Sequence, residues 1–413
     1  MKNTLFTIFI SILSFSAIGQ TAITEHGQLR VSGNQILNER DEPAQLQGMS
    51  LFWSQWDDGA PFYNAEVIEW LRDDWCIDVI RAAMAADERG PNGGYVGGYV
   101  TSPEIAEREE AKVRTVVEAA IDLGIYVIID WHSHEAEKYT DEAAEFFARM
   151  ARDYGDYPNI IYEPYNEPIT ADWEEDIKPY TKVVVDSIRK YDSTNIIICA
   201  TPYYCQRVNE AVDSPLEIEG ETNIAYAFHY YAASHGSLMG RVNNAINDGL
   251  PIIISEFGTV NANGDGDMSR FQSDRWFNDI IDRHNLIHCN WSVSDKDEGA
   301  SIIKPGTSPY GNWEPDELTE SGAYIRNRYI RNCTGYRFPV SVEKEENKSQ
   351  FTFFPNPASD KVFLENNEGD WELINNTGKC VLSGSESMID VSHLPEGVYF
   401  LRSNGITQKL IKQ

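Results

Sequence analysis

From Gln45 to Val293 short apolar runs, rich in β-branched residues, alternate with longer stretches of helix formers. The runs are Gln45–Leu51, Val79–Met84, Tyr126–Trp131, Ile160–Glu163, Asn195–Ala200, Ile224–Tyr230, Ile252–Glu256 and His288–Val293. Apolar runs of this length between helical stretches suit buried parallel strands. Between them, Ser102–Leu123, Thr140–Tyr154, Trp173–Tyr191 and Ser269–His284 read as helices, and Val113, Val117, Ala120 and Ile121 keep the three-and-four spacing of one helix face. About eight strand–helix units in roughly 250 residues predict a closed (β/α)8 barrel of the TIM type rather than a doubly wound sheet. A last helix is expected near Leu318–Ile330.

The pattern then changes. Ser341–Gln350 (SVEKEENKSQ) has almost no apolar content, the composition of a linker. Beyond it come short strands with turn residues between them: Lys361–Leu364, Trp371–Ile374, Cys380–Leu382, Gly397–Arg402 and Ile406–Ile411. They predict a small all-β, sandwich-like domain. At the other end Met1–Gly19 reads as a signal peptide, with Lys2, a short apolar core and the small-x-small site Ala17-Ile18-Gly19. The expected layout is a leader over 1–19, a catalytic barrel over 20–338, a linker over 339–351 and the β-domain over 352–413. An exported or cell-surface monomer without a membrane span is expected.

A net charge of −31 over 413 residues argues against nucleic acid or an anionic membrane as partner and is compatible with a neutral polymer. The six cysteines fit no zinc spacing, and their pairing is left open. Export permits disulfides, while Cys199 and Cys289 lie in strand-like runs where buried thiols are equally reasonable.

Candidate chemistry sits at the ends of the runs. IIYEPYNEP (Ile160–Pro168) reaches Glu167 and IIISEFG (Ile252–Gly258) reaches Glu256. Residues at the C-terminal ends of barrel strands face the mouth, where such folds keep their catalysis. Two glutamates facing one cleft suit glycosidic bond cleavage, with Glu167 as acid/base and Glu256 as nucleophile. That division of labour predicts a raised pKa for Glu167 and an ionised Glu256 held by Arg81, placed at the end of the second run. Asn166 is positioned to bind a sugar 2-OH, Tyr231 to donate to a carboxylate and His229 to hydrogen-bond the acid or the sugar, while His132 follows the third run at the same mouth. Trp53, Trp56, Tyr203, Tyr204 and Trp291 offer flat faces for pyranose rings, and Lys296 and Glu298 offer groups for sugar hydroxyls.

These stretches resemble the family 5 glycoside hydrolases, and among them the bacterial endoglucanases. The resemblance rests on LQGMSLFWSQW (Leu46–Trp56), VIRAAM (Val79–Met84), IIDWH (Ile128–His132), YGDYPNIIYEPYNEP (Tyr154–Pro168), FHYYAASHG (Phe228–Gly236), IISEFGT (Ile253–Thr259) and NWSVSDKDE (Asn290–Glu298). It implies Glu167 as proton donor, Glu256 as nucleophile, a β-1,4-linked glucan as substrate, and supporting roles for Arg81, His132, Asn166, His229, Tyr231, Trp291, Lys296 and Glu298. The chain departs from the family after the fifth run. Where Thr-Trp-Ser-Gln is usual it reads Tyr203-Tyr204-Cys205-Gln206, so Tyr204 or Cys205 replaces a stacking tryptophan. FFPNPASDKVFL (Phe353–Leu364), NNTGKCVL (Asn375–Leu382), IDVSHLPEGVYFL (Ile389–Leu401) and KLIK (Lys409–Lys412) resemble the sorting domain of the type IX secretion system. That implies the secretion machinery as a partner. A carbohydrate-binding module is the rival reading, weakened by the single Trp371.

Other readings are possible. His132-Ser133-His134 has the spacing of a zinc pair but follows the third run rather than the first. Asn261–Asp267 has a calcium-loop flavour, yet Gln272 stands where an EF-hand needs glutamate. No metal or other cofactor is expected. β-Mannanase, mixed-linkage β-glucanase and a non-catalytic glycan binder on the same barrel are the alternatives to a cellulase.

Overall fold

The computed structural model describes residues 21–87, 97–333, 352–365, 369–375, 379–403 and 406–413. The expected leader and linker lie outside them. The chain divides into two compact units, Met1–Pro339 and Val340–Gln413.

The first unit is a closed barrel of eight parallel strands in chain order. They are β1 (Gln47–Leu51), β2 (Val79–Ala85), β3 (Tyr126–His132), β4 (Ile160–Glu163), β5 (Ile196–Cys199), β6 (Ile224–Tyr231), β7 (Ile252–Gly258) and β8 (His288–Val293). Each coincides with a predicted run to within two residues, β4 and β8 without any shift. Closure is made by β8 against β1, with His288 opposite Gln47 and Asn290 opposite Met49. Because helices cover the outer face, every strand is buried on both sides except for the first residue of β6.

Local chemistry sets the helix limits. Ser102 caps the helix Pro103–Leu123 by accepting from the Ile105 N–H, and Pro103 supplies the preset φ of a first helical residue. Val113, Val116, Val117 and Ala120 form its buried face. It stops at Gly124, whose φ of 67° is left-handed and whose missing Cβ would otherwise lie 2.6 Å from Thr21 Oγ1. The expected helices at Trp173–Tyr191 and Ser269–His284 are present but each contains a π-type turn, Trp173–Ile177 and Phe277–Ile281. The last helix, Glu320–Asn332, lies two residues later than read.

A hairpin, Arg30–Ser32 with Gln35–Leu37, was not anticipated. It covers the N-terminal end of the barrel, where Val31 N–H donates to Asn223 Oδ1 just before β6 and Leu29 and Ile36 join the core. A disulfide between Cys76 and Cys333 ties the end of helix Ala65–Trp75 to the end of the last helix across 257 residues. Cys199, Cys205 and Cys289 are buried thiols, and Cys380 is an exposed one.

The second unit has a three-stranded sheet (Thr352–Phe354, Lys361–Glu365, Met388–Asp390) and a four-stranded one (Cys380–Gly384, Trp371–Asn375, Gly397–Ser403, Ile406–Lys412), both antiparallel. Alternation of buried and exposed positions along Lys361–Glu365 and Gly397–Ser403 sends Val362 and Leu364 from one sheet, and Tyr399 and Leu401 from the other, into a single core. Trp371 belongs to that core, its Nε1 donating to the Glu386 carbonyl at 2.8 Å. The exposed aromatics are instead Phe354, Phe363 and Phe400, a feature the sequence reading missed.

Candidate active site

Arg81 organises the barrel mouth. It is the third of seven residues in β2 rather than the end of the strand as expected, and its length carries a fully buried guanidinium up to the carboxylates. It donates to Glu256 Oε2 at 3.0 Å, to Glu163 Oε2 at 2.6 Å and to Asn166 Oδ1 at 2.7 Å, and lies 2.9 Å from Asp130 Oδ2. Burial disfavours its charge, but Asp130, Glu163 and Glu256 outweigh burial and hold it protonated.

Glu256 lies within β7. Its Oε2 faces Arg81 and its Oε1 accepts from the Tyr231 hydroxyl at 2.8 Å. Gly258 makes that contact possible, since a Cβ there would sit 2.3 Å from the Tyr231 ring. Glu167 stands four residues beyond the end of β4, with its N–H on the Ser133 carbonyl. Its Oε1 is 2.9 Å from His229 Nδ1 and its Oε2 3.6 Å from His134 Nε2. Carboxylate oxygens of Glu167 and Glu256 and a ring nitrogen of His229 all lie within 4.8 Å of one another.

The protonation pattern differs from the expected one. Burial raises the pKa of Glu167, but hydrogen bonds from His134 and His229 lower it further, to well below the usual range. Glu256 is pushed up, by burial first and by Glu167 second, against the pull of His229, Arg81 and Tyr231. His134 and His229 together draw Glu167 down, and His229, which burial would discharge, is raised by Glu163 and Glu167 to about 9. These shifts favour a charged His229 imidazole beside an ionised Glu167 over the protonated Glu167 expected from the sequence.

The cleft has a volume of about 570 Å³ and is lined by every candidate residue except Trp56 and Arg81, the latter lying beneath Glu256 and Asn166. Trp291 stacks on His132 at 5.1 Å and 4°, while Trp53 meets the same ring edge-on at 4.0 Å. Asn166 has its Oδ1 fixed by Arg81, leaving its NH2 for a ligand. Lys296 pairs with Glu298 and sits over the Phe52 ring. Trp56 packs against the small apolar cluster that includes Phe52 and Trp291 instead of lining the cleft.

The departure at 203–206 is resolved in favour of Tyr204. Tyr203, Tyr204 and Cys205 are three consecutive left-handed residues, with φ of 56°, 55° and 53°, a conformation costing about 1–2 kcal/mol each. The Tyr204 N–H donates to the Pro168 carbonyl at 2.8 Å and the buried Cys205 thiol to the Asn166 carbonyl at 3.1 Å. The turn thus hangs on the Glu167 loop, with both tyrosines in the cleft wall and Cys205 behind it.

The two histidines of the zinc-like pair serve different partners. His132 Nδ1 is 2.6 Å from Asp130, and His134 attends Glu167. The donor set that does converge, Glu167, His229 and Glu256, is already engaged by Arg81, Tyr231 and Ser255. Sequence reasoning missed Glu163, Ser255, His235 and Asn263. Glu163, the last residue of β4, carried a positional signal; the other three carried none.

A closed parallel barrel that sets two carboxyl groups this near each other, between aromatic faces, has the arrangement that glycoside hydrolases use. The chain belongs to glycosyl hydrolase family 5: the Cellulase (glycosyl hydrolase family 5) family matches residues 37–297. It is 44% identical over 293 residues to Endoglucanase A of Evansella cellulosilytica, covering 70% of this chain and 56% of that protein. It is 39% identical over 318 residues to Endoglucanase Z of Dickeya dadantii, covering 76% and 69%. The chain thus spans little more than half of the first relative. A solved structure from Cytophaga hutchinsonii superposes with a TM-score of 0.71 at 42% identity, covering 76% of this chain and 97% of that one. Residues 352–413 match the secretion system C-terminal sorting domain, which directs the protein out of the cell or to its surface. No helix among the described residues is long and apolar enough to cross a membrane.

Proposed function

We propose that the barrel is a retaining endo-β-1,4-glucanase that cleaves internal bonds of a β-1,4-glucan by double displacement. The observation that carries this reading is the 4.8 Å limit on the Glu167–Glu256 oxygen separation. An inverting enzyme needs roughly 6.5–9.5 Å to seat a water between its carboxyl groups, whereas a retaining one uses about 5–5.5 Å.

Glu256 attacks the anomeric carbon while the glycosidic oxygen leaves with a proton from Glu167. That proton is the one held between His229 Nδ1 and Glu167 Oε1, 2.9 Å apart: it passes through Oε1 to the departing oxygen, and the pair ends one proton poorer. Arg81 and Tyr231 hold Glu256 in line and accept the change in its charge as the ester forms. Glu167 then takes a proton from water, the water oxygen joins the anomeric carbon, and Glu256 is released. The aromatic walls at Trp53, Tyr204 and Trp291 present faces to the sugar rings, with Asn166, Lys296 and Glu298 offering polar contacts. The type IX secretion machinery is the partner proposed for the terminal domain. The proposed layout keeps the leader at 1–19, the barrel at 20–338, the linker at 339–351 and the sorting domain at 352–413, in a monomer.

NMR of the first product from a soluble β-1,4-glucan should show the β-anomer; an initial α-anomer excludes double displacement. The pH profile tests the acid. His229 titrates at about 9, so the transferable proton is present below that pH and lost above it. Turnover of the polymer should fall as pH rises through about 9, with a smaller fall for an aryl cellobioside whose leaving group needs no proton.

A further inference from the structure

His229 is held from behind. Its Nε2 lies 2.9 Å from Ser255 Oγ, and the Ser255 hydroxyl donates to Glu163 Oε1 at 2.5 Å. Ser255 and Glu163 are both fully buried. A serine has one hydrogen to give, and an ionised carboxylate can only accept. Glu163 is kept ionised against burial by Arg81 and His229. The serine hydrogen therefore goes to Glu163, and Ser255 Oγ must accept a hydrogen from His229 Nε2. With Nε2 committed as a donor, Nδ1 and Glu167 Oε1, 2.9 Å apart, hold one proton between them.

From this wiring, and resting on the catalytic reading above, we propose that Ser255 and Glu163 are positioning residues that fix the His229 tautomer and so load Glu167 with the proton it delivers. Neither touches the cleft. The alternative tautomer, with hydrogen on Nδ1 and a bare Nε2, would set two acceptors against each other at Ser255 and leave Glu167 ionised with nothing to transfer. Other charged or titratable groups around His229 are Glu256 on β7, Arg81 on β2 bonded to both Glu163 and Glu256, and Asp130 and His132 on β3. Arg81 keeps its partners in both Ser255 variants, so there the change falls on the imidazole, whereas Glu163→Gln also takes one carboxylate from Arg81.

The experiment compares Ser255→Ala, Ser255→Thr, Glu163→Gln and Glu167→Ala with the full-length enzyme on a soluble β-1,4-glucan and on a dinitrophenyl cellobioside. Ser255→Ala should lower kcat on the polymer about 10- to 100-fold with KM little changed. Its first-step burst on the dinitrophenyl substrate should be preserved, because that leaving group departs unprotonated. Losing the acceptor at Nε2 weakens proton retention, so the basic limb of the polymer profile should move to lower pH in Ser255→Ala and in Glu163→Gln. Ser255→Thr, which keeps the hydroxyl, should restore the limb. An equal loss on both substrates, or an unmoved limb in both Ser255→Ala and Glu163→Gln, overturns the positioning role. If Glu167→Ala itself loses both substrates equally, the assignment of the acid fails instead, and the two failures are told apart by that variant.

Discussion

In the barrel the guanidinium of Arg81 and the carboxylates of Asp130 and Glu163 are fully buried, whereas the core of the terminal unit consists of Ala358, Val362, Leu364, Trp371, Leu373, Ile389, Val391, Tyr399, Leu401 and Leu410. Burying charge costs several kcal/mol per ion unless partners repay it. A large core has stability to spare for this, while a unit of about 60 residues is marginal and fills its interior with apolar side chains. The difference teaches where each unit keeps its function. The barrel places it inside the mouth, on charges whose positions are fixed by one another. The terminal unit can present its function only on its surface, where Phe354, Phe363 and Met388 are exposed on one sheet.

Breaking the buried network should have the largest effect. Glu256→Ala should lower turnover of a soluble β-1,4-glucan by about 10⁴-fold or more while the barrel still unfolds cooperatively, at a lower temperature because Arg81 loses one buried partner and keeps Asp130 and Glu163. Glu167→Ala should match it on the polymer yet keep the first step on an activated aryl glycoside; identical behaviour of the two variants there would mean their roles are misassigned. The converse change removes the terminal unit. Truncation after Pro339 should leave specific activity on soluble glucan intact and abolish export, so that the enzyme accumulates in the periplasm of its host. Loss of cellulose binding with secretion unchanged would make the terminal unit a binding module.

A smaller effect sharpens the same contrast. Cys333→Ser opens the 257-residue loop closed by the disulfide and should destabilise the barrel by about 2–5 kcal/mol. Calorimetry should show the barrel transition moving down and that of the terminal unit staying in place; a common shift would mean that the two units unfold together. The smallest effect belongs to Tyr204. Tyr204→Trp restores the larger ring usual in the family and should lower KM about two- to tenfold, the scale of one aromatic contact. An unchanged KM would show that the left-handed turn, not the ring, sets affinity at that wall.

The strands and the placement of Glu167 and Glu256 at the barrel mouth were legible because they depend on local pattern. A β-branched run between helices must be buried, and a carboxylate at its end has only the mouth to occupy. Other features were not legible, for physical reasons seen in particular residues. Arg81 was placed at the end of a strand, yet it works from the third position because a long side chain can reach several ångströms along the barrel axis. The pKa order expected for Glu167 and Glu256 considered two carboxylates alone, and the groups that push it the other way, His134 after β3 and His229 on β6, come from other parts of the chain. Ser255 gave no signal, since a serine before a glutamate is unremarkable until a histidine ring from another strand stands 2.9 Å away.

By itself the sequence determined the barrel, its eight strands, the change of pattern toward the terminal unit and the residue types that gather at the mouth, because periodicity and strand ends are properties of neighbours along the chain. Only the tertiary structure decided that Cys76 meets Cys333, that Tyr204 and not Cys205 faces the cleft, and that His229 Nδ1 stands 2.9 Å from Glu167 Oε1. Each of these depends on groups far apart in the chain brought within hydrogen-bonding or covalent reach, where a difference of one ångström decides which atom accepts and which donates.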